Sequence, residues 1–167
     1  PTRKVDSSKK DQKGPLATAR IATDVKAKDA KAALQRATTV AAAVTAARDL
    51  VNMAPNDLYP ESFAAAAKSA VKGTKVKILD TDDLEAGGYG GLIGVGKGSA
   101  RGPRLVKLTY SPSKAKQHYA LVGKGITFDT GGISIKPAAG MELMKSDMSG
   151  AAAVLHTVIA AAALELP

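Results

Sequence analysis

Helix-forming and strand-forming segments alternate along this chain, and the alternation constrains its fold more than any other feature of the sequence. Alanine-rich segments at residues 30–52 and 151–164, and a shorter segment at residues 60–71, have the composition of helices. Short apolar segments between them predict strands at residues 75–79, 104–110 and 119–122. The pattern predicts an α/β fold with a mixed, mostly parallel sheet.

Prolines and glycines mark the expected ends of these elements. The first helix should end before Pro55, because a proline disfavours helical backbone in the residue that precedes it. Pro60 suits the first position of the second helix, and Gly73 suits the position just after its end. Residues 81–86 predict a further short helix, and the last helix should begin near residues 147–150.

The segment Tyr119–Val122 is continuously apolar, which predicts a central strand that is covered on both faces. The loop that follows it, residues 123–146, is the longest predicted loop and is rich in polar residues. In open α/β sheets, ligands bind beyond the carboxyl ends of the strands. The sequence therefore places the candidate functional site in this loop.

Positive charge is concentrated at the start of the chain. The net charge is +9, and residues 1–36 hold ten basic and four acidic residues. No aromatic residue is interleaved among them to stack on bases. We interpret residues 1–29 as a basic tail or interdomain linker, and an arm that binds nucleic acid is the alternative.

The composition excludes several functional classes. The chain has no cysteine, which excludes disulfide frameworks, zinc fingers and thiol catalysis. No run of about eighteen apolar residues occurs in the sequence, so no membrane span is predicted.

The glycine-rich stretch Gly91–Gly98 comes close to a phosphate-binding loop but lacks one of its essential residues. Gly98 stands where that motif needs a serine or threonine to bind magnesium. The sequence Arg101-Gly102-Pro103 also prevents the helix that should follow. We predict instead a glycine-rich strand and loop packed close to its neighbours.

The two histidines, His118 and His156, do not form a recognisable metal motif. His156 lies in the apolar last helix, where a zinc site would need a second histidine four residues away. Ala152 and Ala160 stand at those two places. Both histidines are predicted to be non-catalytic.

Among the charged residues that follow the third predicted strand, four are candidate site residues: Lys124, Asp129, Lys136 and Asp147. Gly131-Gly132 beside Asp129 allows the backbone to approach a ligand closely. Carboxylates bind hard or borderline divalent cations, and a lysine can join them as the neutral amine once its pKa is lowered. Ordinary ion pairing of Lys124 with Asp129, together with capping of the last helix by Asp147, is the alternative.

The segment from Val122 to Ala153 resembles the leucyl aminopeptidase family, the cytosolic two-metal peptidases, and every charged residue in it has the family's spacing. Weaker similarity extends the resemblance to roughly residues 40–167 through the stretches Ala47–Asn52, Pro55-Asn56, Pro60-Glu61, Gly94–Ser99 and Pro103–Leu105. The resemblance implies a three-layer α/β sandwich and a cytoplasmic location. It also implies release of amino-terminal residues from peptides, with leucine-like side chains preferred.

The resemblance further implies a role for each charged residue. Lys124, Asp129 and Asp147 would hold two divalent metal ions, zinc or manganese, with magnesium or cobalt as alternatives, and Asp129 would bridge them. Lys136 would be catalytic and would stabilise the oxyanion. Met144 would line the pocket for the first side chain of the substrate. In the intact enzyme an arginine would hold a bicarbonate ion.

The family pattern is incomplete in this sequence. The later family motif, which supplies two more carboxylate ligands and the arginine, does not occur in it. Residues 30–167 would therefore be the amino-terminal part of the catalytic domain, and we expect the isolated chain to be inactive or nearly so. Its partners would be peptide substrates, the missing carboxyl-terminal half and the other subunits of a homo-hexamer. The alternatives are a non-catalytic fragment that binds nucleic acid or partners through its basic segment, and an assembly surface.

Overall fold

The computed structural model describes residues 16–69, 73–113 and 115–167. The described helices are α1 (Ala27–Asn52), α2 (Pro60–Ser69), α3 (Thr81–Ala86), α4 (Gly90–Gly96), a 3-10 helix (Met141–Ser146) and α5 (Ser149–Ala163). The described strands are β1 (Lys75–Leu79) and β2 (Leu105–Thr109). The predicted α/β class is confirmed, as are the predicted helices and the first two strands.

The described residues before α1 carry no regular secondary structure. Of the predicted basic tail, residues 1–15 lie outside the described residues, and residues 16–25 are exposed and form neither helix nor strand. The last two residues of the predicted second helix, 70 and 71, also lie outside the described residues. The division of the chain at residue 29 stays a prediction.

Local sequence signals explain where the helices begin and end. Helix α1 ends at Asn52, where Met53 adopts extended backbone and donates its N–H to the carbonyl of Leu50 (3.1 Å) two residues before Pro55. Helix α3 begins with a capping box in which Asp80 and Asp83 each accept the other's backbone N–H, at 3.0 and 3.3 Å. Such caps fix helix ends independently of the rest of the fold.

The two described strands form an antiparallel pair. Lys75 lies opposite Thr109 and Leu79 lies opposite Leu105, so β2 runs back along β1 after the chain has passed through α3 and α4. The mostly parallel sheet that the sequence predicted is therefore not found among the described residues.

The predicted central strand at Tyr119–Val122 is wrong for this structure. The segment has no regular secondary structure, and Tyr119 and Val122 are 83% and 93% exposed. An apolar segment becomes a strand only beside a neighbour that takes its backbone hydrogen bonds. In the described part of the chain, β1 and β2 pair only with each other.

The prediction of a strand in the glycine-rich stretch is also wrong, because Gly90–Gly96 is helical. The apolar residues Leu92, Ile93 and Val95 lie between the glycines, and helix α4 ends at Gly96, well before Pro103. Helix α3 leads into α4. A phosphate-binding loop would instead need a strand before it.

The core lies between α1, α2 and α5. Its buried members are Leu50, Leu58, Phe63, Ala67, Met148, Ala152 and Leu155. Val106 and Leu108, alternate residues of β2, pack against it from the sheet. Because Met148 directly follows Asp147, the core fixes the backbone beside one of the candidate site residues.

One described segment, Met141–Ala163, is long and apolar enough by length and composition to cross a membrane. It has 23 residues and a mean hydropathy of 1.2 in its most apolar window. The segment joins the 3-10 helix to α5, and α5 itself has only 15 residues. A membrane-spanning helix needs about 20. Met148, Ala152 and Leu155 in this segment also belong to the core, so it is a weak indication of a membrane span.

Candidate metal centre

The structure joins the four charged residues in two ion pairs. The Nζ atom of Lys124 lies 2.9 Å from Oδ2 of Asp147, and the Nζ atom of Lys136 lies 3.2 Å from Oδ2 of Asp129. The positive charge of Lys124 also reaches Asp129, since it contributes to the lowered pKa of that carboxylate. The pairing of Lys124 with Asp129, expected from simple ion pairing, is wrong, because the closer partner of Lys124 is Asp147.

A glycine turn folds Lys136 back onto Asp129. Gly131 and Gly132 have φ angles of +89° and +65°, which side-chain-bearing residues rarely adopt. The turn lets the N–H of Lys136 reach the carbonyl of Thr130 at 2.9 Å. The two glycines thus serve the turn that brings Lys136 to the carboxylate, and the predicted close approach of the backbone to a ligand stays a prediction.

Asp129 is held ionised by its surroundings. The backbone N–H of Gly131 donates to its Oδ1 at 2.9 Å, and this bond is the largest cause of its lowered pKa. The hydrogen bond from Lys136 lowers the pKa further, whereas partial burial acts in the opposite direction. At neutral pH the side chain is therefore a carboxylate with one oxygen fixed by the backbone.

Asp147 presents a buried oxygen without a hydrogen bond. Its Oδ2 atom lies within ion-pair distance of Lys124, yet the directions of the two groups do not make a hydrogen bond. The ion pair therefore compensates the charge of the carboxylate, but this oxygen accepts no directed hydrogen bond. The predicted helix cap is wrong, because the residue at the N-cap position of α5 is Met148, and it makes no side-chain capping bond.

The 3-10 helix carries Met144 and connects the site to α1. Met144 is half-buried, and its carbonyl accepts the N–H of Asp147 at 3.2 Å. One residue later, the Nζ atom of Lys145 lies 3.3 Å from the carbonyl of Asn52 at the end of α1. The role of Met144 in a substrate pocket stays a prediction.

The donor set fits part of a divalent-metal site. Two carboxylates and a lysine amine take part in two ion pairs that are linked by the effect of the Lys124 charge on the pKa of Asp129, and the buried Oδ2 of Asp147 is an oxygen of the type that divalent cations bind. Among the described residues, no group of three or more histidine, cysteine, aspartate or glutamate side chains is placed to hold a metal. Lys124 would therefore have to act as the third ligand beside Asp129 and Asp147.

The two histidines lie in different surroundings. His156 is 9% exposed and lines an apolar groove of about 750 Å³ between α1 and α5, and its burial lowers its pKa below the ordinary histidine value. His118 is exposed. The prediction that both are non-catalytic stays a prediction.

Sequence reasoning missed a backbone contact beneath the Lys124–Asp147 pair. The N–H of Ala151, in the first turn of α5, donates to the carbonyl of Lys124 at 2.9 Å. Gly123 and Gly150 lie at this contact, where a Cβ atom on Gly123 has no room and one on Gly150 would be tightly packed against the backbone. The sequence did contain a signal for this contact, namely Gly123 beside Lys124 and Gly150 at the start of α5. It does not show that these two glycines lie together.

Comparison with known proteins places the chain in a family. Residues 45–167 match the model of the cytosol aminopeptidase family, catalytic domain. A probable cytosol aminopeptidase from Streptomyces avermitilis is 62% identical over 138 residues, which are 81% of this chain and 27% of that protein. The corresponding protein of Micrococcus luteus is 52% identical over 159 residues, 94% of this chain and 31% of that protein.

Solved structures give the same result. The cytosol aminopeptidase of Coxiella burnetii superposes with a TM-score of 0.76 at 37% identity, over 82% of this chain and 30% of that one. The manganese complex of the bottromycin maturation enzyme BotP gives 0.74 at 39% identity, with the same coverage. The apo leucyl aminopeptidase of Trypanosoma cruzi gives 0.72 at 40% identity, over 79% of this chain and 26% of that one.

The chain spans between about a quarter and a third of the length of these relatives. The matched residues include both ion pairs, the 3-10 helix and α5. Since the family match covers most of this sequence, the chain belongs to the cytosol aminopeptidase family.

Proposed function

We propose that this chain forms part of the catalytic site of a metal-dependent aminopeptidase that releases amino-terminal, preferably leucine-like, residues from peptides. The observation that carries the proposal is the pairing of Lys124 with Asp147 and of Lys136 with Asp129, together with the effect of the Lys124 charge on the pKa of Asp129. These four residues are the ones to which the family resemblance assigns metal binding and catalysis.

In this proposal three side chains hold metal and one acts on the substrate. Lys124, Asp129 and Asp147 would bind two divalent ions, with Asp129 as the bridging ligand. Such ions, when bound, activate water for attack on the first peptide carbonyl and bind the free α-amine of the peptide. Lys136 would donate to the carbonyl oxygen as negative charge develops on it.

The surroundings of Asp129 and Lys136 suit these roles. Asp129 is ionised at neutral pH because Gly131 and Lys136 both lower its pKa. The side chain of Lys136 is 36% exposed, so its ammonium group can exchange the carboxylate for a substrate oxygen without crossing the core. Met144, half-buried on the 3-10 helix, would contact the first side chain of the peptide.

The finer details are also proposals. The solved complex of the neighbour BotP contains manganese, which supports manganese here, with zinc as the other leading choice and magnesium or cobalt as alternatives. A bicarbonate ion in the intact enzyme, a homo-hexamer and a cytoplasmic location follow from the family resemblance. The relatives' name, cytosol aminopeptidase, supports that location.

The length of the relatives also bears on activity. Because the chain spans 27% of the Streptomyces avermitilis relative, and three side chains are few for two metal ions, we expect the chain alone to have almost no activity. Activity should depend on the remaining part of the catalytic domain.

The test is hydrolysis of a chromogenic leucine amide with manganese or zinc added. The chain would be assayed alone and together with the carboxyl-terminal part of the Streptomyces avermitilis relative, supplied as a separate polypeptide. Activity should appear only in the mixture, and Lys136→Gln should lower it by about 100-fold or more, as loss of an oxyanion donor does. Lys107→Gln, at an exposed position on β2, is the matched control and should retain activity. If neither sample hydrolyses the amide or binds metal, the proposal is wrong.

A further inference from the structure

A close backbone contact lies beneath the Lys124–Asp147 pair. A Cβ atom placed on Gly123 would lie 2.5 Å from the carbonyl oxygen of Gly150 and 2.6 Å from the Cα atom of Ala151. A Cβ atom on Gly150 would lie 3.1 Å from the backbone nitrogen of Lys124. The neighbouring atoms are backbone atoms, so they cannot move aside as the end of a flexible side chain could.

The contact satisfies a hydrogen bond that helix α5 cannot make for itself. The first N–H groups of an α-helix have no partner within the helix. In α5 the N–H of Ala151 donates to the carbonyl of Lys124 at 2.9 Å, whereas the next N–H, that of Ala152, already bonds within the turn to the carbonyl of Met148 at 3.1 Å. The start of α5 is therefore attached to the backbone of Lys124 itself.

This attachment sets the separation of two side chains that are 23 positions apart in the sequence. Lys124 directly follows Gly123, and Asp147 lies three residues before Gly150. The Nζ atom of Lys124 and Oδ2 of Asp147 lie 2.9 Å apart. Since the Lys124 side chain is 59% exposed, its ion pair with Asp147 is too weak to hold the two segments together unaided.

We propose that Gly123 and Gly150 are positioning residues for the metal ligands Lys124 and Asp147. By leaving out two side chains, they let α5 bond to the backbone of Lys124, and this sets the spacing at which the amine and the carboxylate can share a cation. The inference rests on the proposed metal site and assigns these glycines a role in metal affinity beyond packing.

The test measures Mn²⁺ binding to the full 167-residue chain by electron paramagnetic resonance, and protection of the Ala151 amide by hydrogen exchange. Gly123→Ala should weaken Mn²⁺ binding by about tenfold or more, as loss of a group that orients metal ligands does. It should also expose the Ala151 amide to exchange. Gly150→Ala should change both in the same direction but less, because its added Cβ would be less crowded. Gly150→Ala also decides the matter if Gly123→Ala does not fold.

Two control variants separate positioning from general loss of stability. Gly96→Ala would place a Cβ atom 2.7 Å from the ring of Pro103, so it introduces similar crowding away from the metal ligands. Gly94→Ala has open space around its added Cβ. Both controls should keep Mn²⁺ affinity within about twofold, the usual range for substitutions remote from the measured site.

Three outcomes decide the question. Equal Mn²⁺ affinity in Gly123→Ala and the unsubstituted chain overturns the inference and leaves the metal site intact. Equal weakening in Gly96→Ala also overturns it, because the effect would then be one of stability. The proposed metal site itself fails if the unsubstituted chain binds no Mn²⁺, or if Asp147→Asn does not weaken the Mn²⁺ binding that is observed. The positioning role then fails with it. Amide exchange at Ala151 would then report on the backbone contact alone.

Discussion

Replacing Met148 with alanine should destabilise the chain strongly, because this side chain joins the candidate site to the core. Met148 is 0% exposed and packs in the cluster formed by α1, α2 and α5. Truncation of a buried methionine to alanine costs about 2–5 kcal/mol, the sum of lost apolar burial and the cavity left behind. The core has few large side chains to fill that cavity, since the whole chain has two phenylalanines and no tryptophan. We therefore expect a loss of about 3 kcal/mol, within that range.

Urea unfolding followed by circular dichroism measures this loss. With an unfolding slope of about 2 kcal/mol per molar urea, a loss of about 3 kcal/mol moves the midpoint down by about 1.5 M. Met144→Ala is the matched control, because it is the same substitution at a methionine that is only half-buried. A midpoint for Met148→Ala that equals the one for Met144→Ala would refute the assignment of Met148 to the core.

Three further predictions concern single side chains. Burial lowers the pKa of His156, so below the ordinary histidine pKa of about 6.5 the unfolded chain binds a proton more readily than the folded chain does. The unfolding free energy should therefore fall as the pH drops below that value. Urea unfolding should show a smaller fall for His156→Gln. Lys136→Gln should raise the pKa of Asp129 toward its ordinary value, because it removes a charged hydrogen bond, and carbon-detected NMR titration of the carboxyl group measures the change; no change would contradict the ion pair. Asp80→Ala should lower the unfolding free energy by about 1 kcal/mol through loss of the α3 capping box, and Asp82→Ala, which removes no cap, should lower it less in the same urea assay.

The helices could be predicted from the sequence because their signals are local. An alanine-rich stretch that stops before Pro55, and a proline at position 60, identify α1 and α2 without knowledge of the rest of the fold. The alternating strand at residues 104–110 was predicted for the same reason, and Val106 and Leu108 do face the core. In each case the deciding residues lie within a few positions of the element they define.

The errors arose where a distant neighbour decides the structure. The apolar segment Tyr119–Val122 was predicted as a strand, but a strand also requires a pairing partner, and sequence composition does not supply one. The alternative in which Lys124 pairs with Asp129 failed for the same reason. Asp129 is nearer in sequence, yet the contact of Gly123 with Gly150 brings Asp147 closer in space. The resemblance predicted which side chains form the site, whereas the pairing of Lys124 with Asp147 depends on that tertiary contact.

The two carboxylates of the site are held by backbone contacts, whereas their ion pairs with the two lysines are weak. Asp129 keeps its Oδ1 on the N–H of Gly131, so its Oδ2 can change partner without loss of orientation. Asp147 is fixed between the 3-10 helix and the buried Met148, and its Oδ2 has charge compensation but no directed hydrogen bond. Ion pairs with partly exposed lysines contribute about 1 kcal/mol or less, so a cation that binds both oxygens breaks these ion pairs at little cost. If these residues hold a metal as proposed, both carboxylates are positioned before it arrives, and we expect metal affinity to depend more on the backbone contacts than on the ion pairs.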